Sequence, residues 1–104
     1  MKNLKAVLSV RFKSNYDSEE LLHLFQQHLE DFKKVPGLLQ KYYLSDENSE
    51  TIGGIYVFEN KDARAAFWNS ELAKAIPATY GVRMETLLVE ELEVTIEMMD
   101  IVAA

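Results

Sequence analysis

Leu4, Ala6, Leu8, Val10 and Phe12 alternate with Lys5, Val7, Ser9, Arg11 and Lys13. A period of two predicts a strand whose even-numbered face is the more apolar. Asp17 then stands three residues ahead of Glu20, a capping-box spacing, with Tyr16 and Leu21 placed as a hydrophobic staple. Leu21, Leu22, Phe25, Leu29 and Phe32 follow at helical spacing, Lys33 and Lys34 suit the negative carboxyl end, and Pro36-Gly37 stops the segment. This predicts a helix over 18–34. Residues 38–44 and 51–59 read as two strands paired antiparallel through the polar loop 45–50. Asn60 can cap a second helix in which Ala65, Trp68, Leu72 and Ile76 share one face and Phe67 points away, ending before Pro77. From residue 82 onward the chain is extended, and alternation resumes in Leu92, Val94, Ile96 and Met98. That stretch is too long for one strand.

The resulting order is βαββαβ with an extra β tail, an α+β, ferredoxin-like arrangement in which both helices lie on one face of an antiparallel sheet. The other face needs a cover. A second sheet from an identical chain is the simplest one, so a homodimer is expected, with the tail reaching across to the partner. At 104 residues the chain is one domain spanning 1–104, with no repeat or linker.

Two glycines, Gly53 and Gly54, interrupt the third strand between Ile52 and Ile55. Glycine packs nothing in a strand, so the pair marks either a β-bulge, the more economical reading, or the floor of a pocket.

Charge narrows the range of partners. Eleven basic and 17 acidic residues give a net charge of −6, which opposes phosphate backbones and anionic membranes. Nucleic acid and membrane are therefore not expected partners. The chain has no cysteine, which excludes disulfides and thiolate chemistry, and it shows neither a signal peptide nor a membrane-length apolar run. A cytoplasmic location is the expectation. There is no GxSxG elbow, P-loop or GxGxxG, so serine hydrolysis, nucleotide hydrolysis and dinucleotide redox chemistry lack support. The acidic set Glu90, Glu91, Glu93 and Glu97 has no neighbouring histidine and reads as a solvated strand face.

His28 lies at the edge of the apolar stripe of the first helix, whereas His23 projects from its polar side. An imidazole in that place is more commonly a core side chain with one hydrogen bond, and alternatively a proton acceptor for a phenolic ligand. Trp68 is expected to meet the sheet near Tyr56, as core or as the wall of an aromatic-binding cavity with Tyr56 as polar handle. Tyr42 and Tyr43 point to opposite faces of the second strand, so one faces the helices. Lys41 shares the face of Tyr43 and is expected to snorkel at the sheet edge. Arg83 can hold a ligand carboxylate or enolate, or pair with Glu85 two positions on.

Pro36-Gly37, Lys41 and the run Gly53-Gly54-Ile55-Tyr56-Val57-Phe58 resemble the YdhR-type mono-oxygenases of the dimeric α+β barrel superfamily. The resemblance implies sheets packed face to face across a dimer, helices outside, and a cavity between sheet and helices for a small hydrophobic or aromatic ligand. It implies a cofactor-independent mono-oxygenase acting on an aromatic or polyketide-like substrate, with no cofactor. The alternative is a non-catalytic, ligand-binding dimer of the same fold. Oxygenase relatives carry a pocket Asn and a Trp where this chain has Gly54 and Phe58, so that particular site does not carry over. Haem-degrading relatives carry an axial histidine where this chain has Lys74-Ala75-Ile76-Pro77. Deprotonation by His28 and a substrate pocket of Lys41, Tyr43, Gly54, Tyr56, Trp68 and Arg83 is the expected arrangement.

Overall fold

A computed structural model describes residues 4–98. The chain runs β1 (Ala6–Phe12), α1 (Ser18–Lys33), β2 (Leu38–Asp46), β3 (Thr51–Phe58), α2 (Lys61–Trp68), two single-turn helices α3 (Glu71–Lys74) and α4 (Ile76–Thr79), a 3-10 turn (Met84–Thr86) and β4 (Leu88–Glu93). The four strands form one antiparallel sheet in the order β2-β3-β1-β4. This is the expected βαββαβ, ferredoxin-like α+β architecture.

The even face of β1 is the centre of the core. Ala6, Leu8, Val10 and Phe12 are all buried, and Tyr56 and Phe58 of β3 lie on the same side. Leu21 and Phe32 of α1 close over them, together with Phe67, Ala73, Ile76 and Tyr80. Helix α1 starts where its cap dictates: the Asp17 carboxylate accepts the Glu20 N–H at 2.9 Å. The Tyr16 ring lies against Gly81, where a Cβ would sit 3.1 Å from it.

The second helical region corrects the sequence reading in phase and in length. It breaks after Trp68, and Ser70 caps a new turn by accepting the Ala73 N–H at 3.3 Å. Periodicity carried through Asn69-Ser70 as if the helix were continuous assigns the wrong face. Arg64 and Phe67 point at the sheet and are buried, whereas Ala65 is exposed and Trp68 is half-buried at the flank.

The expected bulge at the glycine pair is absent. Gly53 and Gly54 keep regular register with Arg11 and Val10 on one side and with Leu44 and Tyr43 on the other; the irregularity falls between Leu38 and Gln40. Gly53 is required by close approach, since a Cβ there would lie 2.0 Å from the Val10 carbonyl oxygen.

Alternation leaves the second sheet face apolar and open. Tyr42, Leu44, Leu88 and Leu92 are each about half exposed on it, around Ile55 and Val57. After β4 the Val94 N–H donates to the Lys5 carbonyl at 2.9 Å, Glu97 pairs with the Lys5 ammonium at 2.6 Å, and residues 94–97 form no strand. The remainder of the expected tail lies outside the described residues.

Candidate functional site

Between β2, β3 and the helices lies a cavity of about 10 Å³, room for about one water molecule. Gly54 forms its floor, and Lys41, Tyr43, Tyr56, Tyr80 and Phe25 surround it. A Cβ at Gly54 would stand 3.1 Å from Tyr56 Cε1 and 3.4 Å from Lys41 Cε, so the missing side chain makes room for these two. Tyr43 faces the helices and packs on Phe25 with ring centroids 4.5 Å apart, while Tyr42 is exposed on the open face.

Lys41 does not snorkel to the edge. Its Nζ lies 3.3 Å from the centroid of the Phe32 ring, 4.3 Å from that of Tyr43 and 4.6 Å from that of Tyr56. No carboxylate or other oxygen accepts a hydrogen bond from it among the described residues. Burial among carbon pushes the ammonium down from 10.5 to about 7. At about 1.4 kcal/mol per pKa unit, that displacement disfavours the charged form by roughly 5 kcal/mol. Ring faces attract a desolvated ammonium by about 2 kcal/mol or more, which offsets part of that cost. Near pH 7 this side chain therefore divides between amine and ammonium.

The phenols around it are held neutral. Burial raises Tyr56, with smaller contributions from Tyr80 and Tyr43, and it raises Tyr80 and Tyr43 likewise. The Tyr43 hydroxyl is buried without a hydrogen-bond partner. A neutral phenol with its O–H unspent, beside an amine free of acceptors, is a donor and acceptor pair waiting for a polar atom. Lys41 also borders a second, open groove of about 290 Å³ between α1 and the start of β2, walled by Leu29, Phe32, Leu38 and Leu39.

The other expected site residues lie elsewhere. His28 stands outside the cavity: its Nδ1 lies 3.2 Å from the Asp31 carboxylate one turn along α1, and its ring meets the edge of Tyr80 at 6.2 Å. Trp68 packs against the core without reaching the cavity. Arg83 neither borders the cavity nor pairs with Glu85; its backbone N–H binds the Lys13 carbonyl at 2.9 Å, and its Nε is buried without a partner.

Phe32 and Tyr80 were not foreseen as site residues. The available signals were the seven-residue separation of Phe25 and Phe32 on α1, and the four-residue step from Ile76 to Tyr80 across a turn that ends in Gly81. Arg64 was also missed. Its Nη1 donates to the Leu92 carbonyl at 2.7 Å, the Val7 carbonyl at 3.2 Å and Glu93 Oε2 at 3.1 Å. That hydrogen bond from Arg64 holds the Glu93 carboxyl below its usual range.

Among the described residues no group of three or more His, Cys, Asp or Glu side chains is placed to hold a metal ion. No helix among them is long and apolar enough to cross a membrane.

Comparison with known proteins agrees with this fold. Residues 7–101 match the family model described as "Putative mono-oxygenase ydhR". The fold is shared with the NE2512 protein of unknown function from Nitrosomonas europaea, at 17% identity and a TM-score of 0.71 over 100% of both chains. It is shared with SnoaB, a cofactor-independent oxygenase from Streptomyces nogalater, at 15% identity and a TM-score of 0.64, covering 90% of this chain and 94% of that one. A dimeric ferredoxin-like protein of unknown function from Jannaschia sp. CCS1 is similar at 16% identity and a TM-score of 0.67, over 86% of this chain and 99% of that one. No curated protein gives a significant match to the sequence.

Proposed function

The chain belongs to the ydhR mono-oxygenase family, and from that premise we propose that it is a cytoplasmic homodimer that binds a small aromatic or polyketide-like molecule between sheet and helices and oxygenates it without a cofactor. The observation that carries this reading is the glycine-floored cavity, where an amine and three neutral phenols converge in an apolar surround. In this scheme the neutral Lys41 amine, rather than His28, removes a proton from an electron-rich C–H acid, and the Tyr43 O–H stabilises the developing oxyanion. The carbanion reduces dioxygen directly; one oxygen atom enters the substrate as a new carbonyl, and the other leaves as water. The substrate supplies all the electrons.

The water-sized cavity requires the Lys41 side chain and the neighbouring rings to move before a ligand enters, and the groove bordering Lys41 is the natural route in. Dimerisation through Tyr42, Leu44, Leu88 and Leu92 leaves this route free, because the cavity lies on the opposite face. A dimeric relative of the same fold supports that assembly.

Oxygen uptake with anthrone-like and other oxidisable phenols tests the activity, and sedimentation tests the dimer. Turnover that is lost in Lys41→Met and retained in His28→Ala is the expected result. Binding of such phenols with no oxygen consumed would instead favour a non-catalytic ligand-binding dimer.

A further inference from the structure

We propose that Lys41 is also a carbonyl-capturing nucleophile, which takes an apolar aldehyde or ketone from the groove between α1 and β2 and holds it as a Schiff base. This activity shares the site with the oxygenation proposed above but not its chemistry. Three placements carry it. Among the described residues Nζ meets three aromatic rings and no carboxylate that would hold the nitrogen protonated. Lys41 borders both the small cavity and the larger groove, so a swing of its own side chain presents the amine to a ligand without disturbing the sheet. The Tyr43 ring lies 4.3 Å from Nζ, and its hydroxyl is buried with no partner among the described residues, so its O–H is unspent.

The chemistry balances within these groups. The neutral amine attacks the carbonyl carbon, forming a C–N bond and a carbinolamine whose oxygen receives the proton that nitrogen loses. Tyr43 gives its proton to that hydroxyl, which leaves as water, and takes back the proton remaining on nitrogen, so a neutral C=N bond to Nζ and a neutral phenol result. Neither oxidation nor reduction occurs. The groove sets the ligand class: its volume of about 290 Å³ and its walls of Leu29, Phe32, Leu38 and Leu39 suit a small aromatic or branched aliphatic carbonyl compound. Lys33 at its rim is already paired with Glu30 at 3.1 Å, so a ligand carboxylate gains little there.

The test uses the intact protein, benzaldehyde as the probe and cyanoborohydride to trap any imine, followed by peptide mapping. Selective benzylation of Lys41 at pH 7 is expected, at least tenfold over Lys33, Lys61 and Lys74, with a labelling midpoint near pH 7 in place of 10.5. Tyr43→Phe should slow the labelling while circular dichroism stays unchanged. Label spread over the surface lysines with Lys41 unmodified would overturn the proposal, whatever any variant does. Phenol binding and oxygen uptake that persist beside an unlabelled Lys41 sink this inference alone; selective labelling of Lys41 with no binding of any phenol sinks the oxygenase reading alone.

Discussion

Arg64 and Lys41 are both cations drawn out of water beneath the helices, but oxygen surrounds Arg64 and carbon surrounds Lys41. The guanidinium spans two backbone carbonyls of paired strands and reaches the Glu93 and Glu91 carboxylates at 3.1 and 3.6 Å. Its planar fork of donors matches that many acceptors, so the charge is compensated and the side chain works as a clamp joining α2 to β1 and β4. The ammonium of Lys41 meets three ring faces and no acceptor. Burial without compensation makes its proton labile, and lability suits a site better than a scaffold. The same formal charge is structural at one edge of the sheet and chemical near the other.

The largest way to break this contrast is at the clamp. Arg64→Met should cost about 1–3 kcal/mol in urea unfolding, because it leaves two strand carbonyls without their donor. Arg64→Lys should recover little, since a single ammonium cannot reach all the acceptors. The Glu93 carboxyl is lowered by Arg64, so its share of stability is present above the ordinary carboxylate range and is lost as acid titrates it; Glu93→Gln should flatten that acid limb.

At Lys41 the sign reverses. Below about pH 7 the folded protein carries a poorly solvated ammonium, so Lys41→Met should be more stable than the wild type there. Between about 7 and 10.5 the unfolded chain binds the proton more tightly than the folded one, so wild-type stability rises with pH and the advantage of the variant shrinks. Above that window the raised tyrosines act in the opposite direction, because the unfolded chain loses their protons first. Thermal melts of both proteins from pH 6 to 11 measure the difference, and parallel curves would sink the account of Lys41.

Smaller changes sharpen the picture. Gly54→Ala should cost about 1 kcal/mol, since Tyr56 and Lys41 can yield by a few tenths of an ångström, and it should depress phenol binding more than stability. Gly53→Ala meets backbone instead of side chain and should be clearly worse. His28→Ala should change stability by about 0.5 kcal/mol and leave cavity binding untouched, as a group bonded to Asp31 on the helix surface would. An appreciable loss of ligand affinity in that variant would return His28 to the site.

Periodicity along the chain was enough to locate β1, β2, β3 and the long helix, because a strand buried on one face cannot hide its alternation and an amphipathic helix cannot hide its stripe; it misplaced β4, which runs over 88–93 across the break in the alternation, while 84–86 form a turn and 94–97 no strand. It also put Tyr56, Tyr43 and Lys41 on strands of a common sheet. Periodicity failed where phase mattered: two residues at the Asn69-Ser70 break rotated the helical face, bringing Phe67 inward and leaving Trp68 at the flank. His28 and Arg83 were chosen for their chemistry, and neither reaches the cavity. The glycine pair was a true signal read at half strength, since Gly53 answers to the backbone of β1 and Gly54 to the side chains over the cavity.

By itself, then, the sequence determined which segments form the first three strands, that one sheet face needs a second cover, and which residues with useful chemistry lie near the third strand. These are local quantities, written in spacings of two and of three to four residues. Only the tertiary structure decided that Phe32 from α1, Tyr43 from β2 and Tyr56 from β3 would enclose one amine, and that Arg64 would find its oxygens on β1 and β4. The reactivity of a buried charge depends on what the rest of the chain brings within a few ångströms of it, and no spacing along the chain records that.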